Sequence, residues 1–107
     1  MIRWPSLVKL DGADELIYVA SENDFQAECS DMILGEDDYL IDSEGKSYSL
    51  QSSSDQLFIT KRPEQYSVEN VTKLIRNHEF QKAEVCLMKI HFPTIEEAIQ
   101  SLAFEAR

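Results

Sequence analysis

Glycine is scarce in this chain: Gly12, Gly35 and Gly45 are the three that serve 107 positions. No GxGxxG or GxxxxGK[ST] run exists, which excludes the usual loops that bring backbone N–H groups up to a nucleotide phosphate. Cysteine is equally thin. Cys29 and Cys86 lie far apart with no CxxC spacing, so they read as buried, reduced thiols, with a disulfide between them as the minor alternative. Zinc needs three or four N or S ligands at short spacings, and adding His78 and His91 to the two thiols produces no such motif. Cys86 sits in the most apolar run, where an inert thiol is expected rather than a nucleophile paired with histidine. Long hydrophobic runs are missing too, which excludes a membrane-spanning helix. Met1-Ile2-Arg3-Trp4-Pro5 breaks too early to read as a cationic and apolar leader.

Bases are missing where acids are dense. Positions 11–55 carry thirteen Asp and Glu residues against a single base, Lys46, whereas the remainder holds seven acids and nine bases. The formal charge of −10 therefore comes from one stretch. Phosphate-binding surfaces need clustered Lys and Arg, and Lys61-Arg62 alone is too little, so nucleic acid and anionic membrane are excluded as expected ligands. The same density points to a solvated face or to a cationic partner.

What the chain does have is a core. Its 43% hydrophobic residues, in a length that buries roughly two thirds of the unfolded surface, suffice for folding without metal or disulfide. Ser6–Leu10 and Leu16–Ala20 flank Asp11-Gly12-Ala13-Asp14 and predict a hairpin. Tyr39–Asp42 and Lys46–Leu50 flank Ser43-Glu44-Gly45 and predict a second, with Gly45 at positive φ. Gln51–Asp55 reads as a polar loop and Leu57–Thr60 as another strand. Residues 21–34 are ambiguous: Ser21 and Asp24 suit a capping box, but Phe25, Ala27 and Cys29 alternate at period two, and the alternation favours extended structure. Six short strands would then make a small antiparallel barrel or curled sheet.

Past Pro63 the pattern becomes helical. Ser67 is an N-cap ahead of a Val68, Val71, Leu74 and Ile75 stripe, with an end expected at Asn77-His78. Phe80–Phe92 favours a second helix over a buried strand, and Thr94-Ile95-Glu96-Glu97 opens a third as a capping box. The expected fold class is α+β, with 1–62 a barrel-like β subdomain and 63–107 a compact subdomain of about three helices.

Trp4-Pro5, the segment Tyr39 to Gly45 before Tyr48 and Leu50, and Cys86-Leu87-Met88-Lys89-Ile90 before Thr94 to Ile99 resemble a family of small gammaproteobacterial proteins with no assigned function. The resemblance implies a β-rich first half and a helical second half, and it brings no catalytic or binding residues.

Candidate chemistry is sparse. Glu36-Asp37-Asp38 could hold a hard divalent cation through oxygen ligands, but no window has EF-hand spacing, and a solvated turn after Gly35 is the simpler reading. The serines 43 and 52 to 54 lack a GxSxG context. Trp4 suits a lid over one end of the β core better than a partner anchor. Tyr39 and Tyr48 suit cross-strand packing better than a ligand. The expectation is thus a cytoplasmic bacterial interaction or accessory protein with no catalytic residue, cofactor or metal. Its acidic face, formed by Asp31, Glu36, Asp37, Asp38, Asp42 and Glu44, would meet a basic protein partner. A DNA mimic or toxin-neutralising protein, and a weak divalent-cation binder, are the alternatives. An enzyme is the weakest reading, and the oligomeric state stays open.

Overall fold

Paired neighbours such as Leu7-Val8 and Leu40-Ile41 send successive apolar side chains to opposite faces of a strand, so their strands must be covered on both sides. The computed structural model, which describes residues 2–12, 16–29, 34–35, 37–53, 56–82 and 92–104, shows how. The strands are β1 (Ser6–Lys9), β2 (Leu16–Val19), β3 (Tyr39–Ile41), β4 (Lys46–Ser53) and β5 (Gln56–Gln65). They form one antiparallel sheet in the order β2-β1-β3-β4-β5. On one face lies α1 (Glu22–Cys29). On the other lie α2 (Val68–Lys82), α3 (Ile95–Ser101) and a closing 3-10 turn, Leu102–Phe104.

Both predicted hairpins form. Gly12 and Gly45 take φ of 78° and 84° in their turns. The predicted barrel does not close. Val8, Leu40, Tyr48 and Leu50 pack with Phe25 of α1 and Leu34, while Leu7, Leu16 and Ile41 pack with Val71, Ile75, Ala98, Ile99 and Leu102. Helices on both faces remove the need for the sheet to curl upon itself, so it stays open, with β2 and β5 as its edges.

Three local expectations are corrected. Residues 22–29 are helical, not extended. The Asp24 N–H donates to Ser21 Oγ (3.2 Å) and the Phe25 N–H to Ser21 O (2.9 Å), so the cap outweighs the period-two pattern. Phe25 is fully buried with its ring 5.9 Å from that of Trp4, which serves as the expected aromatic cover, whereas Ala27 is exposed. Of the expected loop 51–55, residues 51–53 are strand, and 54–55 lie outside the described residues. Gln51, Ser52 and Ser53 pair with Phe58, Leu57 and Gln56, and the β4–β5 arm runs beyond β3.

The first C-terminal helix does not stop at Asn77-His78 but continues to Lys82. Its start is as expected: the Asn70 N–H donates to Ser67 Oγ and the Ser67 N–H to Asn70 Oδ1, each at 3.1 Å. His78, buried inside α2, accepts the Leu16 N–H through Nδ1 at 2.9 Å, a tertiary bond from α2 to the edge strand β2. Of the predicted helix Phe80–Phe92, residues 80–82 belong to α2, and 83–91 lie outside the described residues. Thr94 caps α3 as expected, accepting the Glu97 N–H at 3.1 Å.

Candidate functional site

Strand β3 is three residues long, and an acid pair flanks each end of it. Asp38 and Asp42 stand roughly 13 Å apart along the extended chain. Their surroundings decide what each carboxylate can do.

Asp38 faces inward. Its Oδ1 accepts the Asp11 N–H at 2.6 Å and its Oδ2 the Gly35 N–H at 2.8 Å, which ties the β1–β2 turn to the approach to β3. Asp42 is fully buried. Its Oδ1 accepts the N–H groups of Glu44 and Lys46, both at 2.9 Å, and its Oδ2 accepts the Arg3 N–H at 3.2 Å. A buried carboxylate is stable when donors replace its water, and three backbone amides do so here. Both residues are therefore clamps for turns. The signal for Asp42 was present in sequence, because Asp favours turns by bonding backbone amides a few residues on, as it does at Glu44 and Lys46 around Gly45. Asp38 instead accepts from Gly35 before it and from the distant Asp11.

Glu44 is exposed but already neutralised, 3.5 Å from Arg3 Nε and 3.4 Å from Lys46 Nζ. Asp37 is exposed. Asp31 and Glu36 lie outside the described residues. The four described candidate acids thus differ in their surroundings: Asp38 and Asp42 are buried against backbone amides, Glu44 is ion-paired and Asp37 is exposed. Other acids take the outward positions. Glu22, Asp24 and Glu28 are all exposed on α1, as is Asp11 in the β1–β2 turn. An extended reading of 21–34 would also set these acids on one side, but roughly 13 Å apart, whereas the helix brings Asp24 and Glu28 within one turn of each other.

Across the sheet the bases are drawn in. Arg62 Cζ sits 4.4 Å from the Tyr39 ring centroid and its Nε 3.3 Å from Glu64 Oε1, and Tyr39 stacks on Tyr66 with centroids 5.9 Å apart. Arg62 Nη1 is buried with no hydrogen-bond partner among the described residues. Lys61 Nζ donates to Arg62 O at 2.8 Å and lies 5.8 Å from the Tyr48 ring centroid. The two tyrosines do not pair with each other across the hairpin: the register sets Tyr39 opposite Ser49 and Tyr48 opposite Leu40. Burial, then a hydrogen bond shared with Tyr66, pushes the Tyr39 phenol well above its ordinary value, although the Arg62 charge pulls the other way. Burial and the nearby Asp42 carboxylate raise Tyr48 as well.

The folded state thus holds these phenolic protons more tightly than the unfolded chain. Their contribution to stability is complete below about pH 10 and is lost as pH rises above it. Thermal melts should therefore fall steeply on the alkaline side, and Tyr39→Phe should flatten that fall. Parallel curves for the two proteins would refute the assignment.

An open hollow of about 290 Å³ is lined by Val68, Glu69, Thr72, Arg76 and Phe92, but the Thr72 hydroxyl is committed to Val68 O at 2.7 Å. Among the described residues no group of three or more His, Cys, Asp or Glu side chains could hold a metal ion. Nor, among them, is any helix long and apolar enough to cross a membrane.

Comparison with known proteins agrees with this architecture. No curated protein matches the chain. An NMR structure of a protein from Shewanella amazonensis is similar, with a TM-score of 0.72 and 26% identity over 97% of this chain and 90% of that one. The model of the family DUF4144, described as a protein structure with unknown function, matches residues 4–102. Spanning nearly the whole sheet and its helices, that match places the chain in the DUF4144 family.

Proposed function

We propose that the protein is a non-catalytic, cytoplasmic interaction or accessory protein of gammaproteobacterial type whose acidic half docks on a basic surface of a partner protein. The observation that supports this most directly is α1. Asp24 and Glu28 are exposed one helical turn apart, Glu28 stands in a last turn that has no base, and Glu22 is exposed beside them. Like charges at this spacing destabilise a helix by a few tenths of a kcal/mol, and an acid near the C-terminal end opposes the helix dipole. No compensating base lies between positions 11 and 45, and Lys46 is held by Glu44. A cationic partner removes this unfavourable field, and the complementary charge raises the rate of encounter and sets orientation. Asp37 and Asp11 extend the outward acids. Neither nucleic acid nor anionic membrane is a ligand in this reading, because the exposed charge has the wrong sign for both.

The test is affinity capture from the source cell at low and high salt, with the wild type beside a Glu22→Lys, Asp24→Lys, Glu28→Lys variant. The expected result is a basic protein held at low salt, released at high salt and lost from the variant, which should stay folded because all three positions are exposed. Capture that ignores both salt and the variant would refute the reading.

A further inference from the structure

The longest strand of the sheet is also an edge. β5 spans ten residues, and among the described residues nothing pairs with it on the side away from β4. Natural edge strands are protected from one another by charge and proline. In β5 that protection, Lys61, Arg62, Pro63 and Glu64, is confined to one end, and positions 56–60 carry no charge at all. Within this unguarded part lie Phe58 and Ile59, 49% and 39% exposed, the two large hydrophobic residues that are exposed among those described.

We infer that this edge is a self-association surface, on which β5 of a second copy pairs antiparallel with β5 of the first to continue the sheet across a two-fold axis. Two considerations select a second copy. The first is charge. Two chains of −10 repel, and they can approach closely only where their acids are absent. The segment 46–62 holds Asp55 alone against Lys46, Lys61 and Arg62, so it is the part of the acidic half that a like-charged molecule can approach. The second is register. A two-fold axis at Ile59 sets Ile59 opposite its own copy and Phe58 opposite Thr60, while Lys61 falls opposite position 57 and Arg62 opposite position 56. No two bases then face each other. Pro63, which has no N–H to give, lies outside the paired span. The exposed apolar pair sits at the centre and the charged residues at the rim, the usual arrangement of a stable interface.

The experiment is light scattering and sedimentation of the full chain over a broad concentration range, at low and high salt, for the wild type, Ile59→Lys and Phe58→Lys. The wild type is expected to show twice the chain mass, with the dimer strengthened by salt, because salt screens the repulsion between the two acidic bodies. Ile59→Lys places two ammonium groups opposite each other at the axis. It should raise the dissociation constant roughly tenfold or more, a change easily resolved, and Phe58→Lys should weaken the dimer as well. A wild type that stays monomeric overturns the inference, including the case in which the arm takes up a strand from another protein. So does a dimer indifferent to both variants, or one that salt dissolves. Should either variant fail to fold, amide exchange in the wild type decides: β5 amides must become more protected as concentration rises, and protection independent of concentration overturns the inference.

Discussion

Gly45→Ala is expected to destabilise the fold by about 2–5 kcal/mol, combining a left-handed backbone penalty with overpacking. Two independent effects meet at this position. Its φ of 84° lies where a side chain is strained, roughly 1–2 kcal/mol for any residue with a Cβ. The added carbon would also overlap the carbonyl oxygen of Tyr66 and come within 2.7 Å of Gln65 Nε2 and 2.9 Å of Ile95 Cδ1. The Tyr66 carbonyl cannot yield cheaply, because the same residue's N–H donates to Gly45 O at 2.8 Å and its ring stacks on Tyr39. Gly45 is thus the point where the β3–β4 turn, the end of β5 and α3 come together. Gly12→Ala separates the two effects. Its φ is 78° but nothing lies within 4 Å of the added carbon, so only the backbone penalty remains, about 1–2 kcal/mol. At roughly 4–8 °C per kcal/mol for a domain of this size, thermal melts should separate the two variants by on the order of 10 °C or more. Equal melting temperatures would show that the close approach at Gly45 is relieved by movement of its neighbours.

Much of this fold is legible in residues alone, and the errors share a cause. The hairpins at Gly12 and Gly45 and the caps at Ser67 and Thr94 were readable because each rests on local chemistry: a positive φ, or a hydroxyl facing an amide a few residues on. The misread segments were settled at longer range. Phe25, Ala27 and Cys29 fit period two as well as any strand, and Ser21 decides the matter by capping a helix that delivers Phe25 to Trp4. Asn77-His78 looks like a helix end until Leu16, far away in sequence, donates to the imidazole. The barrel failed for a similar reason. Alternation shows which side chains are buried, but Leu7-Val8 and Leu40-Ile41 are buried on both faces, and only the placement of α1 against α2 and α3 reveals that.

The acidic stretch was the most visible feature of the sequence, yet its chemistry is divided. Counting carboxylates cannot distinguish one that bonds backbone amides from one that meets solvent. Asp38 and Asp42 belong to the first kind, Asp37 and the α1 acids to the second. What a partner would meet is therefore smaller than the stretch of acids, and it lies partly on a helix that the alternation of Phe25, Ala27 and Cys29 disguised.

That division makes Asp42 the sharpest place to test the structure. Asp42→Ala leaves the amides of Arg3, Glu44 and Lys46 without the acceptor that replaced water, and it empties a fully buried site. Removing one side of a buried, charge-assisted network costs about 3–5 kcal/mol, comparable to Gly45→Ala. Asp42→Asn should cost roughly half as much, since donors left facing donors carry about 1–3 kcal/mol each. Its carbonyl can keep the two bonds from Glu44 and Lys46, which share one oxygen, but its amide then opposes the Arg3 N–H. The release also reaches the N-terminal segment. Arg3 is further held through its carbonyl, which accepts the Ser43 N–H at 3.0 Å, and Ser43 Oγ donates to Pro5 O at 2.6 Å, so amide exchange should rise at Arg3, Glu44 and Lys46 together. Asp37→Asn is the contrast. It is exposed, so its effect on stability should stay within about 0.5 kcal/mol. Denaturant melts of the three variants, ranked Ala, Asn and then the near-silent Asp37 change, test whether these neighbouring acids divide their work between holding the turn and facing a partner. An Asp42→Ala protein as stable as the wild type would mean that the carboxylate does not hold the turn at all.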